Sequence, residues 1–355
     1  RRVNRYPAGP LPLAFTRLGN HTTRKPVVLS GTGGLCVPEL VVHIGAGKTG
    51  STAIQFSLRD AGKALAEQGV AYWGLMLERI PAARAHDWCV QGQPQRFFQS
   101  RTPDQTDDEA YRIIRAELDS MDKRGLERAI WSNEAFLVQN KRILPILQRL
   151  KDDGVPIRVI AYVRRHDKRA RSAYVEFGLK SKRNQGDLRP FRDWVETHAI
   201  AYADNLALWD KALPGALEVY NFDAVRDVAA HFCEVVGLSG IASSRANESP
   251  STAHLAAWMV YNGSKEKPTW ANDFRRVAQP LKLIGKGHHR PVPPLDELMP
   301  TQEDIHAVQE RFSGDLEAVN ALLTVVGKVE AALIGHVNLP IGTSLIAVAQ
   351  KPKTG

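Results

Sequence analysis

The run Val41-Val42-His43-Ile44-Gly45-Ala46-Gly47-Lys48-Thr49-Gly50-Ser51-Thr52 constrains this chain more than any other stretch. An apolar strand enters a glycine-rich turn that holds one lysine, then leaves into a helix headed by small hydroxyl residues. Such a turn points backbone N–H groups and a helix N-terminus at one spot, and Lys48 adds a point charge there. The unit therefore predicts a strand–turn–helix that cradles a phosphate-type anion. Its ending is close to the triphosphate-binding pattern G-x-x-x-x-G-K-[ST], but position 42, where the first glycine would fall, is Val42.

Around this unit, strand and helix patterns alternate. Strands are predicted over 39–44, 70–73, 128–132 and 156–163, with helices over 51–68, 104–123 and 143–152. Residues 75–103, with Pro81, Pro94 and Pro103, read as an irregular excursion. A long basic helix is expected over 167–182. Beyond it lie helical segments near 191–198, 203–212, 227–236 and 252–261, and a strand over 216–220. Thr301 with Asp304 opens a further helix as a capping box. This order predicts an α/β fold: three layers around a parallel sheet, with a mainly helical C-terminal half. In such sheets ligands sit beyond the C-terminal strand ends, where the 45–52 loop falls.

The formal charge of +9 is a poor guide to partners, because the ends carry most of it. Six cations (Arg1, Arg2, Arg5, Arg17, Arg24, Lys25) and no acid occupy residues 1–38, and Lys351 and Lys353 lie at the far end, so the body holds only +1. Residues 1–37 read as a poorly ordered basic leader, 38–325 as the α/β domain with helical additions, and 326–355 as a C-terminal extension. No run approaches the roughly 18 apolar residues of a membrane span, and Leu11-Pro12-Leu13-Ala14-Phe15 is too short for a signal-peptide core. Cys36, Cys89 and Cys233 are odd in number and widely spaced. They suggest neither a disulfide framework nor a metal cluster, and the expected location is the cytoplasm.

A second anchor follows the 156–163 strand. A triphosphatase commonly carries an aspartate at such a strand end to hold Mg²⁺; this strand ends on Arg164. Residues 164–183 hold eight Lys or Arg against Asp167 and Glu176, and Ser172 lies two helical turns beyond Arg164. A guanidinium fork and a hydroxyl from adjacent elements can grip one phosphate. Two anion sites at neighbouring strand ends suit a nucleotide charged at both ends of its ribose.

Here the chain resembles sulfotransferases that use 3′-phosphoadenosine 5′-phosphosulfate (PAPS). Lys48-Thr49-Gly50-Ser51-Thr52 is similar to that family's K-T-G-[ST]-T loop for the 5′-phosphosulfate. Arg164 with Ser172 is similar to its Arg-x7-Ser motif for the 3′-phosphate. Bacterial carbohydrate-type members open H-I-G-x-x-K-T-G-T-T-x-I-Q, which His43, Ile44, Gly45, Lys48, Thr49, Gly50, Thr52, Ile54 and Gln55 match. Weaker echoes are Ser132-Asn133-Glu134, Arg171-Ser172-Ala173-Tyr174 and Asn247-Glu248-Ser249, so the resemblance covers about residues 39–325. Gly47 stands where a larger residue is common, and Ser51 replaces a frequent threonine.

The resemblance implies a P-loop-containing nucleotide-binding fold and sulfuryl transfer from PAPS to a hydroxyl or amine, expected on a carbohydrate or glycan, leaving adenosine 3′,5′-bisphosphate (PAP). Donor-binding residues would be Gly45, Gly47, Lys48, Thr49, Gly50, Ser51, Thr52, Arg164 and Ser172, the hydroxyls of Thr49, Ser51 and Thr52 included. Lys48 would act on the leaving oxygen, and no metal is required. The acceptor's proton needs a base within reach. His86 is favoured slightly, as imidazole is a side-chain type that titrates near neutrality. Glu134, past the third strand, is the alternative, and the two could cooperate.

Competing readings are a P-loop kinase or triphosphatase, disfavoured by Val42 and the arginine-ended strand, and a non-catalytic binder of acidic polysaccharide or nucleic acid. The second would lose salt-dependent binding without residues 1–37; no nucleic-acid partner is expected. His43 reads as strand packing, Gly285-Lys286-Gly287-His288-His289-Arg290 as a solvated loop rather than a flap, and Trp194, Trp209, Trp258 and Trp270 as helical core.

Overall fold

In the computed structural model, residues 37–198, 200–244, 252–278 and 298–323 are described. The 285–290 loop, the Asn247-Glu248-Ser249 echo, residues 1–36 of the leader and the extension over 326–355 lie outside them.

Five strands, β1 (Glu39–His43), β2 (Val70–Gly74), β3 (Arg128–Ser132), β4 (Ile157–Val163) and β5 (Leu217–Asn221), form one sheet in the order β2-β3-β1-β4-β5. Every pairing is parallel, with β1 in the middle between β3 and β4. Successive side chains alternate between the faces. Leu40, Val42, Ala129, Trp131, Val159 and Ala161 belong to one core; Val41, Ile130, Ile160 and Tyr162 belong to the other.

Helices cover both faces, completing three layers. The connection after β1 holds α1 (Ser51–Asp60) and α2 (Gly62–Ala66), whose Ile54, Leu58 and Leu65 pack into the Val41 core. After β2 come a 3₁₀ turn (Pro81–Ala85), α3 (Gln95–Phe98) and α4 (Pro103–Lys123). Helix α4 and α5 (Asn140–Asp152) put Ile114, Leu118, Ile143 and Leu147 into the opposite core. Beyond β4 stand α6 (His166–Tyr174), α7 (Phe191–Glu196) and α8 (Ala203–Ala212); beyond β5 stands α9 (Val228–Val235). Helix α8 joins the Leu40 core through Leu206 and Trp209, and α9 the Val41 core through Val228 and Phe232. The β1 connection thus lies on one face and the β4 connection on the other. The crevice between the carboxyl ends of β1 and β4 is a topological switch point, where ligands of open α/β sheets bind.

The remaining described α-helices are α10 (Thr252–Gly263), α11 (Ala271–Ala278), α12 (Gln302–Arg311) and α13 (Ser313–Leu322). Helices α6, α7, α10 and α12 share a third core of Tyr174, Phe191, Trp194, Leu255, Met259 and Val308. No described helix is long and apolar enough to cross a membrane.

Most predicted elements form within a few residues of their expected bounds, including the Thr301–Asp304 capping box. Three expectations change. The helix over 51–68 breaks at Ala61 into α1 and α2. The long basic helix is α-helical only to Tyr174, and a π turn over Val175–Leu179 follows. Trp194, Trp209 and Trp258 are buried, but Trp270 is 61% exposed: it precedes α11 and packs into no core cluster.

Candidate anion-binding crevice

The 44–50 loop is held open by its backbone. Lys48 has φ 74° and Gly50 has φ 78°, a left-handed conformation that is costly for a residue with a Cβ. Gly50 is the N-cap of α1, no side chain caps that helix, and no acid sits in its first turn. The amides of Ser51 and Thr52 therefore have no intrahelical acceptor. Those of Gly47, Lys48 and Gly50 meet none among the described residues. A Cβ on Gly47 would find nothing within 4 Å, so the space over the loop is open. Gly50 is confined instead: its Cβ would lie 2.5 Å from Val228 Cγ1 and 2.9 Å from Phe222 Cε2.

Two of the three hydroxyls expected to face the anion turn inward. Thr49 Oγ1 donates to the Ala46 carbonyl at 2.5 Å and is buried. Ser51 Oγ is buried without a partner among the described residues, as is His43 Nε2. Both lie 2.8 Å from where a Cβ on Gly45 would stand, so this backbone must be bare. His43 is more than packing: its Nδ1 lies 2.7 Å from Ser132 Oγ, tying the tips of β1 and β3. Burial drives its pKa down to about 3, so the ring is neutral. The amides, Lys48 and Thr52 remain as the loop's outward groups.

Arg164 follows β4 directly. Its carbonyl accepts from Tyr202 Oη at 2.9 Å, which fixes the backbone at the strand tip. Its Nε lies 3.2 Å from Asp223 Oδ1, and its Nη groups have no partner among the described residues. Asp223 also takes Lys168 Nζ at 3.4 Å and the Arg165 amide at 3.1 Å, so one buried carboxylate answers a cluster of donors. Phe222 joins this cluster to the loop: it abuts Gly50, and the Arg164 guanidinium lies 5.3 Å from its ring centroid.

Ser172 is half-buried on α6, and Glu176 stands one turn further along. Glu176 Oε2 lies 3.5 Å from Lys48 Nζ and 2.8 Å from Lys180 Nζ. The turn that follows α6 therefore reaches the loop through Glu176, as Arg164 does through Phe222.

The two base candidates engage different partners. His86 Nδ1 lies 3.0 Å from Glu109 Oε2 on α4, a carboxylate that also accepts from Trp88 Nε1 at 2.9 Å. Glu134 accepts from Gln55 Nε2 at 2.8 Å, and Gln55 belongs to α1, the loop's own helix. Asn133 donates to the Leu75 carbonyl at 3.1 Å and its amide to the His43 carbonyl at 3.0 Å, joining three strand tips around Glu134. Gln55 also lines a cavity of about 440 Å³ bounded by Tyr72, Glu78, Arg79 and Arg84, within the range of small-ligand sites.

Glu176, Lys180, Asp223 and Phe222 escaped sequence reasoning. The one signal was Glu176 standing among eight cations, which reads equally well as a solvated helix face. Its contact with Lys48 spans a sequence distance that no local pattern encodes. No protein-family model matches this chain, and no curated protein matches it significantly.

Proposed function

We propose that this chain is a PAPS-dependent sulfotransferase acting on a hydroxyl, expected on a carbohydrate. The observation that carries the reading is the meeting of the Lys48 loop and the Arg164–Ser172 segment at the β1/β4 crevice, through Phe222 and the Lys48–Glu176 pair. The residues present fit a nucleotide charged at both ribose ends. Unengaged loop amides and open space over Gly47 suit the 5′-phosphosulfate, and unengaged Nη groups on Arg164 suit a 3′-phosphate.

Such a donor supplies a sulfuryl group, which the acceptor oxygen attacks in line as the 5′-phosphate departs. Lys48 acts where charge grows on the departing oxygen, so its contribution belongs mainly to the transition state. The loop amides hold the neighbouring oxygens in fixed positions and need no reorganisation during the reaction. Arg164 orients the nucleotide from the far end, and Ser172 supplies the hydroxyl expected to share the 3′-phosphate. Glu134 is the better-placed proton acceptor, because Gln55 fixes its carboxylate against the loop's helix while His86 is engaged on α4. The Gln55-lined cavity gives an acceptor room on that side.

Thermal melts test this directly. Saturation with PAP at about 100 times its dissociation constant should add roughly 2.7 kcal/mol and raise Tm, whereas ATP with Mg²⁺ should shift it little. Arg164→Ala should weaken PAP about tenfold to a hundredfold while sparing adenosine 5′-phosphate. A larger shift with ATP and Mg²⁺ than with PAP would defeat the reading and favour a kinase or triphosphatase.

A further inference from the structure

Glu176 poses an electrostatic problem. A carboxylate 3.5 Å from Lys48 Nζ opposes any anion that the loop is built to receive. Burial by itself would push its pKa up, but the hydrogen bond from Lys180 and the charges of Lys48 and Lys180 outweigh that and hold it below the ordinary glutamate value. It is therefore ionised at the crevice.

Its two partners are unequal. Lys180 Nζ is closer, at 2.8 Å, and Lys180 is buried, with its ammonium 5.3 Å from the centre of the Trp258 ring. The π turn builds this pair: the Lys180 amide donates to the Val175 carbonyl at 3.0 Å, so Glu176 and Lys180 come from one irregular turn. Such bulges recur at functional sites. Glu176 with Lys180 is already neutral. Lys48 is the looser third member, and it can leave without stranding a buried charge.

We propose that Glu176 and Lys180 are positioning residues for Lys48: Glu176 holds the loop lysine at the crevice while no anion is bound, and Lys180 takes over Glu176 when Lys48 turns to the incoming phosphate. This rests on the function proposed above for the identity of that phosphate, but not for the exchange itself. Removing the carboxylate frees Lys48; removing Lys180 leaves Glu176 with Lys48 as its sole ionic partner among the described residues. The two changes must act in opposite directions, which loss of packing cannot produce.

The test has a ligand-free arm and a nucleotide arm, on the full chain. In the first, trace acylation of Lys48, read by mass spectrometry, should rise in Glu176→Gln and fall in Lys180→Met, a change that keeps the apolar stem on Trp258. In the second, PAP titrated by calorimetry should bind about two- to fivefold more tightly to Glu176→Gln and a few-fold more weakly to Lys180→Met. The double variant should return to the Glu176→Gln value. Labelling that stays unchanged, or moves the same way in both single variants, overturns the exchange whatever the nucleotide does. The expected labelling in both variants, with a wild-type chain that ignores PAP, overturns the sulfotransferase reading and leaves the exchange standing.

Discussion

Lys48 carries a side chain through a backbone region that favours glycine, and it does so at the mouth of the crevice. A left-handed lysine costs about 1–2 kcal/mol, so the position is held by its surroundings. If it acts on the departing oxygen, Lys48→Ala should lower kcat by about a hundredfold or more while PAP affinity falls only a few-fold. Steady-state kinetics beside calorimetry checks this, and equal losses in both would count against a transition-state role. For the base, Glu134→Gln should cost about 10²–10⁴ in kcat, with a much smaller effect from His86→Gln; the reverse order would assign the proton to His86. Residue types and their order along the chain mark these candidates. That order does not show that Gln55 clasps Glu134 while Glu109 engages His86.

Helix α1 depends on Gly50 at its head. Gly50→Ala combines a left-handed φ with a Cβ 2.5 Å from Val228 Cγ1, and should destabilise the fold by about 2–4 kcal/mol. Urea unfolding would measure that cost, while Gly47→Ala, with nothing within 4 Å of its Cβ, should unfold almost as the wild type does. The α1 start was legible, since apolar strand, glycine turn and amphipathic helix are all local patterns. The end of α6 was not. Helix formers such as Glu176, Leu179 and Lys180 continue past Tyr174, but the Tyr174 ring lies 2.5 Å from where a Cβ on Gly178 would stand, so this π turn packs too closely for a side chain there. Propensity is a weak guide where tertiary contacts set the pitch.

At the scale of the molecule, the Val41 core and the crevice share His43, whose ring meets Tyr162 and Phe232. Its folded pKa of about 3 lies below the ordinary 6.5, so the unfolded chain binds a proton that the folded one refuses. Stability from this group is full above about pH 6.5 and falls on acidification, by up to about 1.4 kcal/mol per pH unit, toward pH 3. His166 and His231, also held down mainly by burial, act in the same direction. Melts between pH 7.5 and 4 should therefore show a falling Tm, with a shallower slope in His43→Asn. By itself the sequence determined the βα unit and the alternation that makes a parallel sheet, because these are written in local periodicity, and it marked Lys48, Arg164 and Ser172 as candidates. Only the tertiary structure decided the strand order that sets β1 beside β4, the inward turn of Thr49 and Ser51, and the Glu176 contact with Lys48. Those depend on which distant surfaces bury each other, a choice made by packing across the sheet and invisible to any window of neighbouring residues.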